Sequence, residues 1–470
     1  MTTLVQAAAL PGTTGTLGYR IGVVGLGYAG LPQAVAFAEA GHEVVGFDVD
    51  AAVVGTLRAG RSPVGTIAHR DIERVATRLT VTDNAHELRH CTAILICVPT
   101  PVGPDDQPDL VILRAATTSV AHNLRAGQIV ILESTVAPGT TAEIVKPILE
   151  STGLLAGVHF SLAFSPERID PGNAGFNATN TPKVIGGYTS VCARRADELY
   201  RGVAPHTYVT KGLEEAEAAK VLENTYRQVN IALIHEYAAF CQARGIDVLD
   251  SINAAATKPF GFQAFYPSIG VGGHCIPVDP LYLADAARRA GTPMRMIELA
   301  HGVNTRQPIR IADQCAEALA ARSGSAADCR VLVLGTTFKP DVDDIRNTPA
   351  VPLIRRLHEY GITVSIHDPF VSRLEVDRIV LHCVEDWQHA VREVDLVILG
   401  QPHSIYEPKF LREASCVLVT AGIPARPRAQ AFPAWNSIPS AGAAYREMKG
   451  GSGNDHHPRR EDLVIRSVHR

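Results

Sequence analysis

Cys275 stands in the run GVGGHCIPVDP (Gly270 to Pro280), behind three glycines that let a ligand come close and ahead of Pro277 and Pro280, which stiffen the chain. A cysteine in such a loop, unlike one in an apolar strand, is a candidate nucleophile. Asp279 follows four residues later. His274 is a possible base, but neighbouring side chains in an extended loop point apart, which leaves it a minor role. A second set, Glu217, Lys220, Asn224 and Arg227, recurs at steps of three and four. On a helix these share one face, with Lys220 and Asn224 about 6 Å apart along the axis. Composition alone makes this a solvated stripe with some ion pairs; Asn224 in mid-helix, where its propensity is poor, tilts the reading only slightly towards function. ESTVAPGT (Glu133 to Thr140) and SPER (Ser165 to Arg168) both follow apolar, strand-like runs, where α/β sheets hold their ligands. Hydroxyls and carboxylates there also serve as N-caps, so their types alone do not decide.

A phosphate cradle precedes all of these. Gly25, Gly27 and Gly30 form GxGxxG directly after the apolar run Ile21 to Val24 and at the start of a helix, so backbone N–H groups can approach a pyrophosphate. Asp48 closes the next strand, 18 residues beyond Gly30, where a carboxylate accepts from both ribose hydroxyls. No Arg follows at once to hold a 2′-phosphate, which favours NAD⁺ over NADP⁺. The bland alternative is a Rossmann domain that binds FAD or nothing.

These residues need elements to position them. Strands at Ile21–Val24, Glu43–Phe47, Ala93–Val98 and Ile129–Leu132, with a helix from about Leu31 to Ala40, predict a doubly wound α/β domain. RVLVLGTTFKP (Arg330 to Pro340), a helix near Val351–Tyr360, the strand ITVSIHDP and the later DLVILG predict a second. Between them Leu213 to Ala243 lacks Gly and Pro and is periodic in apolar residues, which predicts one long helix able to join two domains and to offer a dimerising face. The expected fold is therefore α/β, with two Rossmann-like doubly wound domains joined by a long central helix. The expected divisions are a flexible leader (1–20), a cofactor domain (21–210), a central helical region (211–325), a C-terminal domain (326–445) and a disordered tail (446–470).

With 470 residues, the chain exceeds what one hydrophobic core serves. A net charge of −4 offers no field for nucleic acid or an anionic membrane, and no apolar run reaches a membrane span. The N-terminus lacks the pattern of a secretory signal. Nine scattered cysteines without metal spacing fit a reducing cytoplasm and no metal, and eight of them read as small buried hydrophobes.

Taken together, GLGYAG, VPTP (Val98 to Pro101), ESTVAPGT, SPER, KVLENTYRQVNIAL (Lys220 to Leu233), FGFQAFYPSIGVGGHCIPVDP and TFKPDVDDIRNTPA (Thr337 to Ala350) resemble the UDP-glucose/GDP-mannose dehydrogenase family. The resemblance covers about Ile21 to Leu399 and is nearest the bacterial UDP-N-acetylhexosamine branch. It implies a four-electron oxidation of a sugar C6 alcohol to the carboxylate, with NAD as cofactor, a UDP-sugar as substrate and a homodimer or higher assembly. It further implies that Cys275 attacks the C6 aldehyde and carries a thioester, and that Lys220 and Asn224 hold the oxyanion. Thr135, Glu167 and Asp279 would place water and relay protons. The cofactor would meet Gly25, Gly27, Tyr28, Gly30, Asp48, Val98, Pro99, Thr100 and Thr135. The nucleotide sugar would meet Glu167, Arg168, Lys220, Asn224, Phe265, Gly272, Gly273, Lys339 and Arg346.

This chain departs from the family pattern at four places: His235 where the acetylhexosamine branch often has Asn, Ile169 after SPER, PSIG for PGPG, and LVTAGI (Leu418 to Ile423). UDP-N-acetylglucosamine is the expected substrate, with UDP-N-acetylmannosamine and UDP-glucose as alternatives. A two-electron hydroxyacid-type dehydrogenase would need neither Cys275 nor the second α/β domain. A silent nucleotide-sugar sensor would not need the full catalytic set.

Overall fold

The computed structural model describes residues 19–65, 67–168, 180–411, 414 and 417–419. The expected tail, nearly all of the expected leader, Ile169 and most of LVTAGI lie outside the described residues. Eight strands build the first sheet: β1 (Arg20–Val24), β2 (Glu43–Phe47), β3 (Leu79–Thr82), β4 (Ala93–Ile96), β5 (Ile129–Leu132), β6 (Ser161–Phe164), β7 (Lys183–Gly187) and β8 (Thr207–Val209). Their order is β3-β2-β1-β4-β5-β6-β7-β8, parallel throughout except between β6 and β7. Both β4 and β5 are buried along their whole length, which is why their sequences are unbroken apolar runs rather than alternating ones. The order reverses between β1 and β4, and the crevice at their C-terminal ends lies beside the glycine turn.

A second sheet contains β9 (Arg330–Leu334), β10 (Thr363–His367), β13 (Leu396–Leu399) and β14 (Val417–Val419), in the parallel order β10-β9-β13-β14. The strands β11 (Arg373–Val376) and β12 (Ile379–His382) make a separate antiparallel hairpin. The glycine turn after β9 repeats the one after β1. Gly25 N–H donates to the Phe47 carbonyl and Gly335 N–H to the His367 carbonyl, each at 2.8 Å.

The central helix runs Leu213–Arg244, 32 residues, and ends on Gly245 in the left-handed region at φ 68°. Two more helices, Cys275–Arg289 and Arg295–Ser323, pack against it. Its C-terminal half joins the core of the second sheet through Ile234, Ala238 and Cys241, among Ile311, Cys315, Val331 and Leu353. Its N-terminal half packs Val221 against Ala137, Val278 and Tyr282, which ties the loop after β5 to the cysteine-bearing helix.

One local expectation is corrected here. Cys275 lies not in an extended loop but at the first position of a helix, with His274 as its N-cap. The prolines that argued for a loop are accommodated. Pro277 falls in the first turn, where backbone N–H groups have no helical partner in any case, and Pro280 forgoes one helical bond further in.

Candidate active site

The helix Gly30–Glu39 begins without a side-chain cap and without an acid in its first turn, so its N–H groups are left to an anion. A Cβ on Gly30 would lie 1.9 Å from the Gly25 carbonyl oxygen, so only glycine lets the turn pass so close to the helix. A Cβ on Gly27 would meet nothing within 4 Å, which leaves its backbone open to a ligand. Asp48 is held in place by accepting from the N–H groups of Leu26 at 2.8 Å and Asp50 at 2.9 Å, one on each oxygen, and each oxygen keeps a lone pair for a hydroxyl. Across the crevice Thr100 Oγ1 donates to the Thr135 carbonyl at 2.7 Å, and Ser134 Oγ to that of Val98 at 2.7 Å. The Val98–Thr100 and Thr135 segments are thus one wall. This cradle fits a dinucleotide: room for phosphate, a free helix terminus and a fixed ribose acceptor.

The stripe on the central helix is not solvated. Glu217 is 0% exposed, Lys220 8% and Asn224 6%; only Arg227, of the four, faces outward. Each buried member has a distant partner. Glu217 accepts from the N–H groups of Gly139 (2.6 Å) and Thr141 (2.8 Å) and from Thr141 Oγ1 (2.5 Å). Burial pushes its carboxyl up to about 7 despite those three donors. Lys220 Nζ donates to the Glu167 carbonyl at 2.5 Å, and Asn224 Nδ2 donates to Asp279 Oδ2 at 2.6 Å. Burial pushes Asp279 up to about 6, against the opposing pull of Lys220 and Asn224.

Cys275 is the exposed cysteine among the eight described; Cys383 is half-buried and the other six are buried. Its sulfur nonetheless sits in a recess where desolvation raises the thiol's pKa, and Asp279 raises it further. Lys220, Arg346 and Arg227 pull it down. Thiol, ammonium, amide and carboxylate of Cys275, Lys220, Asn224 and Asp279 therefore converge. Burial lowers the His274 imidazole, and the Arg346 charge lowers it further.

The glycine loop before the thiol is moulded by the second half. Gly273 N–H donates to the Arg346 carbonyl at 2.9 Å, and Asn347 Nδ2 donates to the Gly273 carbonyl at 3.0 Å. Cβ atoms on Gly272 and Gly273 would stand 2.6 and 2.7 Å from the Phe338 side chain, whose neighbour is Lys339. Arg346 is gripped by Asp344 (Nη2–Oδ2 2.6 Å) and lies over the Tyr28 ring, 4.1 Å from its centroid, so a cofactor-loop residue touches the opposite domain. Arg168 pairs with Glu223 at 2.7 Å on the central helix. Phe265 packs on Tyr226, ring centroids 5.9 Å apart.

Sequence reasoning left several buried groups without a role. Glu133, Lys183, Tyr200 and Gln33 are all buried around Glu167. The available signal was Lys183 itself, a charge opening the apolar strand KVIGG, which must find a partner if both faces are covered. His235 and Ser268, two of the departures from the family pattern, meet at 3.2 Å, and Asn304 Oδ1 lies 3.0 Å from the other ring nitrogen.

Comparison with known proteins matches three family models along the chain. They are the NAD binding domain (residues 19–204), the central domain (214–306) and the UDP binding domain (332–418) of the UDP-glucose/GDP-mannose dehydrogenase family. A UDP-N-acetyl-D-glucosamine 6-dehydrogenase of Pseudomonas aeruginosa is 39% identical over 398 residues, 84% of this chain and 90% of that one. Among solved structures, a UDP-D-ManNAc dehydrogenase from Pyrococcus horikoshii superposes with a TM-score of 0.78 at 32% identity, covering 89% of this chain and all of that one (100%). A UDP-glucose dehydrogenase from Pyrobaculum islandicum gives 0.77 at 30%, covering 87% and 99%. With the dinucleotide cradle in the first half and all three models matched in order, the chain belongs to the UDP-glucose/GDP-mannose dehydrogenase family of NAD-dependent oxidoreductases.

Proposed function

We propose that the chain oxidises the C6 hydroxyl of a UDP-N-acetylhexosamine, UDP-N-acetylglucosamine first among them, to the carboxylate, with Cys275 as covalent carrier. The observation that supports this most is the convergence of Lys220, Asn224 and Asp279 on an accessible thiol at a helix start. Bound in the cradle of the first half, NAD supplies the hydride acceptor for both oxidations. The Cys275 sulfur bonds to the C6 aldehyde carbon, and its proton passes to Asp279, whose carboxyl lies near neutrality at about 6. Lys220 and Asn224 stabilise the resulting oxyanion. After the second oxidation Glu167 and Thr135 place the water that releases the acid. Lys339 and Arg346 hold the nucleotide, from the same segments that mould the glycine loop.

The acetylhexosamine assignment is supported by the run AAATKPFGFQAFYP before GGHCIPVDP and by the Pseudomonas relative. A second reading, UDP-glucose, is favoured by PSIG in place of PGPG, since a Ser-apolar-Gly version of this turn resembles that of UDP-glucose enzymes. The test compares kcat/KM for UDP-N-acetylglucosamine, UDP-N-acetylmannosamine and UDP-glucose and counts NADH per acid. Two NADH per acid with preference for an acetylhexosamine is expected. Preference for UDP-glucose overturns the substrate, and one NADH with an aldehyde product overturns the thioester.

The proposal includes the division into a cofactor part (21–210), a central part (211–325) and a nucleotide-sugar part (326–445), supported by the family-model ranges. It includes a homodimer through the central helix, where Leu222, Tyr226, Leu233 and Phe240 are exposed at steps of four, seven and seven, on one face. A reducing, cytoplasmic setting is supported by eight free thiols among the described residues.

A further inference from the structure

Lys183 opens β7, a strand buried at every position, and is itself 6% exposed. Its Nζ donates to Glu133 Oε2 at 3.0 Å and lies 5.0 Å from the centroid of the Tyr200 ring. Tyr200 OH donates to the other oxygen of Glu133, and both residues are 1% exposed. Burial pulls the ammonium's pKa down, but Glu133 and Glu167 outweigh it, so Lys183 is raised and keeps its charge. So fixed, Nζ stands 3.8 Å from Glu167 Oε2. That oxygen also accepts from Gln33 Nε2 on the cofactor helix, while Oε1 accepts from the Arg168 N–H at 2.7 Å. The Glu167 side chain keeps 14% exposure, against 7% for Lys183 and none for Glu133.

We propose that Lys183 is a positioning residue for Glu167: anchored by Glu133 and Tyr200, its buried charge holds the carboxylate in the orientation that activates water for thioester cleavage. This rests on the reading of Glu167 as the water-activating group. In that step the water oxygen bonds to the thioester carbonyl carbon while Glu167 takes its proton. The adduct then collapses with cleavage of the C–S bond; the electron pair leaves on the Cys275 sulfur, and the proton on Glu167 returns to it as thiol. A purely structural lysine would make no distinction between this step and the ones before it.

The experiment uses Lys183→Met/Glu133→Gln, which removes the pair without stranding a buried charge, with Lys183→Gln/Glu133→Gln as a second version should the first not fold. Lys183→Arg and Glu167→Gln accompany them. NAD and whichever of the three UDP-sugars the parent turns over fastest are mixed rapidly with each variant. The double variant is expected to release two NADH per site in its first turnover and then to stall. Its kcat should fall about 10²-fold, the lower range for loss of acid–base help, with kcat/KM for the sugar unchanged, so that KM falls along with kcat, and the sugar acyl group found on Cys275 by mass. Lys183→Arg, which keeps a buried cation, should retain most of the parent rate. Parent-like turnover, or loss of the first-turnover NADH itself, overturns the proposal. If Glu167→Gln stalls as an acyl-enzyme and the double variant does not, Lys183 alone is excluded. If Glu167→Gln turns over like the parent, the role of Glu167 falls, and the proposal with it.

Discussion

Replacing Asp279 with Asn removes one negative charge a helical turn away from the Cys275 thiol and keeps an oxygen to accept from Asn224 Nδ2. Four residues of helix separate the two groups by about 6 Å. At an effective dielectric of about 20, a full charge at that range is worth about 3 kcal/mol, or about two pH units on the thiol. Because Cys275 is exposed on one side, solvent screening trims this to about one to two pH units. The sign follows from the order of titration. Asp279 ionises near 6, before the thiol, so the thiol must give up its proton beside a negative charge; removing that charge lowers its midpoint. Lys220→Ala acts the other way, since the ammonium favours thiolate. The assay is the iodoacetamide labelling rate of Cys275, read by peptide mass from neutral to alkaline pH without substrate. The other described cysteines are buried or half-buried and serve as internal controls. An unchanged or raised midpoint in Asp279→Asn would show that the two groups are not electrostatically coupled and would refute the reasoning.

Cofactor choice should follow Asp48: the parent prefers NAD to NADP, and Asp48→Ala narrows the ratio of kcat/KM by about tenfold or more, ~1.4 kcal/mol. Equal kcat/KM for the two cofactors in the parent would defeat this. Lys220→Ala should lower kcat by about 10²–10³-fold, as for loss of an oxyanion donor, with a much smaller effect on sugar binding by calorimetry. His235 is buried and pushed down to about 4 by desolvation, against 6.5 unfolded. Its contribution to stability is therefore complete above about 6.5 and lost as pH falls through about 4. That is about 3 kcal/mol over the window. His235→Asn should flatten the fall of the thermal midpoint with acid, and an unchanged slope would count against it.

Much of the fold was legible because parallel strands buried on both faces have to be apolar throughout, as in β4 and β5. The central helix was readable for its freedom from Gly and Pro, with Gly245 as its stop. The cysteine-bearing helix was not: Pro277 and Pro280 argue against a helix unless one knows that the first falls in the opening turn. Composition alone reads the polar stripe of the central helix as solvated, because burial of a lysine or an asparagine is set by partners far along the chain. Lys220 meets Glu167 and Asn224 meets Asp279, 53 and 55 residues away, and helical periodicity carries no record of either. The same holds for Glu217, whose partners lie in the turn after β5.

The glycine loop ahead of the nucleophile takes its shape from Phe338, Arg346 and Asn347, and these sit in the segment proposed to grip the nucleotide. In inheritance, then, the C-terminal half is not an exchangeable specificity module. A recombination that swapped it between relatives would replace the mould of the thiol along with the UDP-binding segment. Shuffling would yield chimeras that still hold their cofactor yet present a misplaced sulfur.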